Sequence, residues 1–156
     1  MSDDMETDNK FEKLKVWQLA HQLTLNVYRI TKNFPRDEHY SLCDQIKRSS
    51  SSIPANIAEG NERKTTKEFT QFLYNAKGSL AETKYHLLLA KDLNYISIEE
   101  YQKLSQQTSD ISKMLSSLIK YLKKTEIWNL KSSQRTHRIR IPLICSDLKM
   151  QMRPCA

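Results

Sequence analysis

Apolar residues recur at alternating steps of three and four along four stretches of the chain, and this spacing predicts four amphipathic helices. The first, from about Phe11 to Lys32, has the stripe Val16, Ala20, Leu23, Val27, Ile30 and Phe34. The second, beginning near Ser41, has the stripe Leu42, Ile46, Ser49, Ile53 and Ile57. The third carries Phe69, Leu73, Ala76, Leu80, Thr83, Leu87 and Ala90, and the fourth carries Tyr101, Leu104, Thr108, Ile111, Leu115, Leu118 and Leu122.

The ends of these helices are predicted from local stop and start signals. Pro35 ends the first helix, and the Ser41 hydroxyl is placed to cap the second. Gly60 suits a left-handed position at the end of the second helix. The third and fourth helices each open with a capping box, at Thr65–Glu68 and Ser97–Glu100.

Short links between long helices make neighbouring helices antiparallel. The fold class predicted is therefore all-α, an up-down antiparallel four-helix bundle with a flexible basic C-terminal tail. We expect an acidic, disordered N-terminus over residues 1–10, the bundle over residues 11–124, and a poorly ordered basic tail over residues 125–156. A weak alternation at residues 137–141 allows a short strand-like piece within that tail.

The second helix breaks the rules of an ordinary helix. It contains four consecutive serines and, in mid-run, Pro54, which deletes a backbone donor and frees the carbonyl of Ser50. Serine side chains can also bond nearby carbonyls and bend a helix. Such departures indicate either function or unusual packing.

The net charge of +7 changes the picture from a plain bundle to a basic one. A basic chain without a membrane segment often meets nucleic acid, although a solvated lysine-rich surface explains the charge equally well. The polar, acidic start is unlike a signal peptide, and three cysteines without metal-ligand spacing suit a reducing compartment. These features predict a cytoplasmic location.

Residue patterns for catalysis are missing from the sequence. A di-iron bundle needs Glu-x-x-His pairs, whereas this chain offers only Glu82 and His86 at a spacing of four, which indicates a surface contact. With two glycines, the chain has no Gly-rich phosphate loop. We therefore expect no enzymatic activity, no cofactor, no metal and no small-molecule substrate.

The candidate binding surface is the corner between the second and third helices. Its basic residues are Lys47, Arg48, Arg63, Lys64 and Lys67. The free amides at the start of the third helix favour anions there. Asn56 could add a neutral donor, but Asn56 and Glu59 could equally serve local contacts, with Glu59 paired to a base.

Several apolar residues lie beside the stripes, namely Trp17, Leu25, Tyr28, Phe72, Tyr85, Leu88 and Leu89. They either widen the buried face, as bundles commonly do, or form a subunit interface. Gly78 in mid-helix is explained either by close approach of another helix or subunit or by a tolerated defect.

These motifs together resemble a known family. The opening resembles it in LKVWQLA (residues 14–20), VYRIT (27–31), Phe34-Pro35 and Glu38-x-Tyr40-x-Leu42. The signature follows in QIKR (45–48), SIPANIAEG (52–60) and Arg63, and then in Glu68-Phe69, Phe72-Leu73 and Ala76-x-Gly-Ser-Leu-x-Glu82. Over residues 11–124 the chain is similar to the four-helix bundle proteins encoded in bacterial 23S rRNA intervening sequences.

The resemblance implies a left-handed bundle that assembles into a homopentamer and has a basic surface for RNA or DNA. It makes Asn56, Glu59 and Gly60 signature residues of the corner and brings no enzymatic activity. We therefore expect a non-catalytic oligomer that binds nucleic acid, RNA in preference to DNA. The alternative is a protein-interaction scaffold or an accessory bundle of a reverse transcriptase without a direct nucleic-acid role.

Overall fold

The structure, a computed structural model, describes residues 10–150, with side chains described for residues 10–127. Four α-helices make up this part of the chain: α1 (Lys15–Ile30), α2 (Leu42–Asn61), α3 (Thr66–Asp92) and α4 (Ile98–Met150). Residues 10–150 contain no strand, which confirms the all-α class.

The helices form a bundle in chain order. α1 packs against α2 and α4, and α3 packs against the same two helices, so each helix neighbours those that precede and follow it. The predicted stripes point inward: Leu23, Val27, Ile46, Ile53, Leu73 and Ile111 are among the fully buried side chains. The up-down antiparallel four-helix bundle is thereby confirmed.

The first helix is shorter than predicted. Residues Lys10–Lys13 and Thr31–Asn33 form 3-10 turns on either side of α1, and Leu14 is extended at its start. Phe34 has an extended backbone (φ −71°, ψ 153°) because the ring of the following proline excludes the helical conformation.

Two of the three predicted N-terminal caps are confirmed. The Thr65 hydroxyl accepts a bond from the amide of Glu68 (3.2 Å), and Ser97 and Glu100 exchange bonds of 3.1 and 3.2 Å. The predicted Ser41 cap is wrong. The carboxylate of Glu38 takes that role, accepting from the Leu42 amide (3.3 Å) and from the Ser41 hydroxyl (2.9 Å).

The fourth helix continues past Lys124, where its hydrophobic stripe predicts an end. α4 is helical to Met150, so the strand-like piece at residues 137–141 is wrong. A helix already formed gains one hydrogen bond for each residue it adds, and it can therefore run on without an apolar stripe. The poor order expected of residues 125–156 stays a prediction, and the acidic start at residues 1–9 lies outside the described residues.

Candidate nucleic-acid-binding surfaces

Small hydroxyl side chains join α2 to α3. The hydroxyls of Ser49 and Thr83 lie 3.1 Å apart, and those of Ser52 and Ser79 lie 3.0 Å apart. Both pairs connect residues of facing helices, and Ser49 and Thr83 are buried. The serine run therefore lets the two helices approach closely while its polar groups stay hydrogen-bonded.

The carbonyl freed by Pro54 has a partner on another helix. Thr24 of α1 donates its hydroxyl to the Ser50 carbonyl at 2.9 Å, and the same hydroxyl lies 3.1 Å from the Ala20 carbonyl. Pro54, Ser50 and Thr24 are all buried. The proline thus exchanges one bond within α2 for one that ties α2 to α1.

Gly60 is required for packing, and the predicted left-handed conformation is wrong. The glycine lies within α2, and Asn94 is the one residue of the described chain with a positive φ. A Cβ at residue 60 would lie 2.7 Å from Cβ of Phe72 and 2.8 Å from Cδ2 of Phe69. Only a residue without a side chain allows α3 to pass this close to the end of α2.

The other signature residues make local contacts. Asn56 donates to the carbonyl (2.7 Å) and the hydroxyl (3.0 Å) of Ser52, one turn earlier. Glu59 forms an ion pair with Arg63, as the local interpretation of the corner expects. These contacts give Asn56 and Glu59 a structural role, whereas their part in binding stays a prediction.

The predicted basic cluster is divided between the two ends of α2. Arg48 and Arg63 are fifteen positions apart, or about 22 Å at the rise of an α-helix. Arg48 is exposed and lies 3.7 Å from Asp44, while the Lys47 ammonium lies 5.6 Å from the centre of the Tyr28 ring. The structure therefore does not bring Lys47 and Arg48 to the α2–α3 corner.

Arg63, Lys64 and Lys67 do lie together at the turn into α3. The Arg63 guanidinium is held between the Glu59 carboxylate and the Phe72 ring, 4.8 Å from the ring centre. Lys64 and Lys67 are exposed, and neither forms an ion pair with a described carboxylate. The corner thus offers two unneutralised cations beside one neutralised arginine.

A second basic surface, which the sequence interpretation missed, lies between α3 and α4. It is a cleft of about 520 Å³, which we call the lysine cleft, lined by Tyr74, Lys77, Ser116, Ile119, Lys120, Lys123, Lys124 and Ile127. The Lys123 ammonium donates to the Tyr74 hydroxyl (2.8 Å), and the Lys77 ammonium donates to the Ser116 hydroxyl (3.1 Å). Three lysines within five residues were a signal in the sequence, but only the fold brings Lys77 to them.

The cleft between α1 and α4 differs from the lysine cleft in its charge. It has a volume of about 670 Å³, and Arg29 and Lys103 line it together with Glu100. The amide of Asn26 donates to Gln107 across it at 3.1 Å. Because it mixes charges of both signs, it has less attraction for a polyanion.

The apolar residues beside the stripes divide into two groups. Trp17 and Leu89 are half-buried and widen the core, and Phe72 is half-buried beside Gly60. In contrast, Leu25, Tyr28, Tyr85 and Leu88 are exposed, Tyr85 to 60%. Gly78 is also exposed, and a Cβ there would meet nothing within 4 Å, so no contact within the described chain requires this glycine.

Two titratable residues inside the bundle, His86 and Cys43, are the candidates for chemistry among the described side chains. His86 Nε2 lies 3.6 Å from the Glu82 carboxylate, but the surface contact expected from their spacing holds only for Glu82: the His86 side chain is 12% exposed, and both of its ring nitrogens are buried without a hydrogen-bond partner. Residues 10–127 hold no group of three or more potential metal ligands. Burial raises the pKa of the Cys43 thiol, which disfavours the reactive thiolate. In the described chain no helix is long and apolar enough to cross a bilayer.

The architecture and its surfaces define a class: an all-α up-down four-helix bundle with basic clusters on its exterior. The chain belongs to the 23S rRNA-intervening sequence protein family, whose model matches residues 12–117. A solved structure from Bacteroides thetaiotaomicron VPI-5482, described as a protein of unknown function from the S23 ribosomal protein family, is similar. The two chains share 28% identity and a TM-score of 0.63, over 67% of this chain and 98% of that one. A search of curated proteins finds no match.

Proposed function

We propose that this protein is a non-catalytic, oligomeric bundle that binds nucleic acid through its basic exterior, with RNA preferred over DNA. The observation that carries the proposal is the surplus of unpaired cations on the bundle. Most lysines of residues 10–127 form no ion pair with a described carboxylate, and the whole chain has a net charge of +7. Phosphate groups neutralise such a surface and release bound counterions.

The form of binding follows from the side chains that are available. Lysine is a flexible point charge that contacts phosphate without recognising a base. The surface residues described include no Gly-rich loop and no metal cluster that would add chemistry. Binding should therefore depend on the backbone of the nucleic acid and only weakly on its sequence.

Assembly into a homo-oligomer, a pentamer by family resemblance, is the second part of the proposal. The exposed side chains of Leu25, Tyr28, Tyr85 and Leu88 support it, because aromatic and large apolar residues are enriched at subunit interfaces. Sedimentation velocity of the full chain tests this part. A monomer at all concentrations would contradict it.

The experiment for the whole proposal is a binding titration of the full chain with labelled single-stranded RNA, followed by fluorescence anisotropy. Affinity should fall with salt: log Kd should rise linearly with the logarithm of the salt concentration between about 50 and 200 mM. A DNA strand of the same sequence should compete less well. Absence of binding at the lowest salt concentration would reject the proposal.

The alternative function is a protein-interaction scaffold or a reverse-transcriptase accessory bundle. The exposed side chains of Leu25, Tyr28, Tyr85 and Leu88 support this alternative as well, because they could contact another protein. The two functions differ in how salt concentration affects binding of the partner. A scaffold held by apolar contacts keeps its partner at high salt, whereas a phosphate-binding surface releases it. A chain that forms an oligomer but binds neither RNA nor DNA would favour the scaffold.

A further inference from the structure

We propose that the lysine cleft between α3 and α4 is the nucleic-acid site, and that it takes a single strand in preference to a duplex. The inference rests on the proposed function and locates it at residues outside the predicted corner. Four lysines supply the phosphate contacts, and Tyr74 with two isoleucines supplies a surface for an unpaired base.

The charge of the cleft is concentrated and unopposed. Lys77 comes from α3 and Lys120, Lys123 and Lys124 come from α4, and none of the residues that line the cleft is acidic. None of the four lysines forms an ion pair with a described carboxylate. A multivalent anion is the ligand that such a set of like charges favours.

Two of the four cations are held in place by neutral groups. The Tyr74 hydroxyl accepts from Lys123, whose ammonium also lies 5.1 Å from the centre of the Tyr74 ring, and the Ser116 hydroxyl accepts from Lys77. A hydroxyl limits the motion of an ammonium without neutralising it. Part of the ordering of these side chains therefore precedes binding, which lowers the entropic cost of a phosphate contact.

The floor of the cleft is apolar. Ile119 is nearly buried there, and Ile127 and the Tyr74 ring are partly exposed. A duplex presents phosphates and sugars on its outside, whereas a single strand can also turn a base toward the protein, and bases pack on aromatic rings without regard to sequence. A volume of about 520 Å³ lies within the usual range of about 300–1,000 Å³ for ligand pockets.

The other basic surfaces lack one part of this arrangement. At the corner, Arg63 is paired with Glu59, so its charge is already opposed. The cleft between α1 and α4 includes Glu100 among its lining residues. The lysine cleft thus combines concavity, unopposed cations and an aromatic ring within the part of the chain that the structure describes.

The test compares two variants that lose the same charge. Lys120→Gln with Lys123→Gln removes two cations from the lysine cleft, and Lys64→Gln with Lys67→Gln removes two from the corner. All four residues are exposed, so both proteins should keep the helical content and unfolding midpoint of the wild type. Anisotropy of single-stranded RNA is measured with each over a series of salt concentrations.

We expect the cleft variant to bind about tenfold or more weakly, with a log–log salt slope reduced by about 1 to 2, and the corner variant to change affinity less than about threefold. Tyr74→Leu keeps an apolar side chain and removes the ring. Because Tyr74→Leu also removes the hydroxyl that holds Lys123, its reference is Tyr74→Phe, which keeps the ring and loses only the hydroxyl. Relative to Tyr74→Phe, Tyr74→Leu should weaken single-strand binding by at least about fivefold and leave duplex binding unchanged, because base stacking is lost.

The outcomes separate this inference from the proposed function. If the wild type binds RNA and the two lysine variants lose affinity equally, RNA is attracted by the basic surface as a whole, and the proposal that the lysine cleft is the binding site is wrong. Duplex binding as tight as single-strand binding would remove the preference for a single strand. A wild type that binds no nucleic acid at low salt would overturn both the function and the site.

Discussion

The helix α3 meets two neighbours in very different ways. Toward α2 it presents Ser79 and Thr83, which bond to serines of that helix, and its Phe69 and Phe72 lie against Gly60. Toward α4 it presents Tyr74 and Lys77, and a cleft of about 520 Å³ remains between the helices. Small side chains bring one pair of helices into close contact, and long side chains leave the other pair open to a ligand.

This difference shows that the residues of the family signature and the residues of the proposed binding surface lie in different parts of the bundle. The residues that look most unusual in the sequence, at positions 49–60, are occupied by contacts within the bundle. The lysines around the cleft look ordinary in the sequence, yet they form a cluster of four cations on one concave surface, and no described carboxylate neutralises any of them. An unusual residue pattern here reports how closely two helices pack rather than where a ligand binds.

The two glycines provide the strongest test of this comparison, because one lies in the tight interface and the other is exposed. Gly60→Ala would place a Cβ 2.7 Å from Cβ of Phe72, which cannot move without its backbone, whereas Gly78→Ala meets nothing within 4 Å. Overpacking costs about 1–3 kcal/mol, and this contact should lie near the top of that range. Gly78→Ala gains about 1 kcal/mol of helix propensity in the interior of α3, and Gly60→Ala gains at most that amount in the last turn of α2, so a loss of stability in Gly60→Ala reports the packing cost.

The measurement is urea denaturation of the two variants and the wild type. Gly78→Ala should be as stable as the wild type or more stable, and Gly60→Ala should be less stable. If both variants were stabilised alike, the close approach of α3 to α2 would not need a glycine, and the contrast between the two interfaces would fail.

Thr24→Val should have the next largest effect, because it removes the donor that satisfies the carbonyl freed by Pro54. A buried carbonyl without a partner costs about 1–3 kcal/mol, and the nearly equal size of valine keeps the packing intact. We expect a loss of about 1–2 kcal/mol in the free energy of unfolding, which urea denaturation measures.

The control for Thr24→Val is the same substitution in a Pro54→Ala background. Alanine restores a backbone N–H at residue 54, which can bond the Ser50 carbonyl within α2, so Thr24→Val should then cost less. Coupling between neighbouring sites is typically about 0.5–3 kcal/mol. Strictly additive losses would show that Thr24 stabilises the bundle in another way.

The bundle itself was predictable because its signal is local. A stripe with alternating steps of three and four specifies which face of a helix is buried, and Leu23, Ile46, Leu73 and Ile111 are buried as that spacing requires. The capping boxes at Thr65 and Ser97 are equally local, since donor and acceptor lie three residues apart.

The site was less predictable because its parts are distant in the sequence. The lysine cleft needs Lys77 beside Lys120, which are 43 positions apart, and Gly60 needs its neighbour Phe72 on the next helix. The predicted corner grouped Arg48 with Arg63 by sequence, although a helix of this length separates them by about 22 Å. Charge counts identify a basic protein, but only the fold shows which charges meet.

The smallest effect on stability is expected from substitutions at one end of the bundle, where the start of α2 meets the turn between α3 and α4. The Glu38 carboxylate accepts bonds from the Ser41 hydroxyl, the Leu42 amide and the Tyr95 hydroxyl, and these bonds lower its pKa, with Ser41 contributing most. The same Glu38–Tyr95 bond raises the pKa of Tyr95. The Tyr95 ring also packs on Phe34, with ring centres 5.5 Å apart.

Because the folded pKa of Glu38 lies below the unfolded one, its contribution to the stability of the fold is complete above the unfolded pKa of about 4.5 and is lost as the pH falls through the folded pKa. Glu38→Gln cannot titrate, so its unfolding midpoint in urea should fall less than that of the wild type between about pH 5 and pH 3. Ser41→Ala should reduce this acid dependence more than Tyr95→Phe, which keeps the ring on Phe34. If Glu38→Gln kept the full acid dependence of the wild type, the Glu38 carboxylate would not be the group that connects the start of α2 to the α3–α4 turn. Packing of the Tyr95 ring on Phe34 would then have to make that connection.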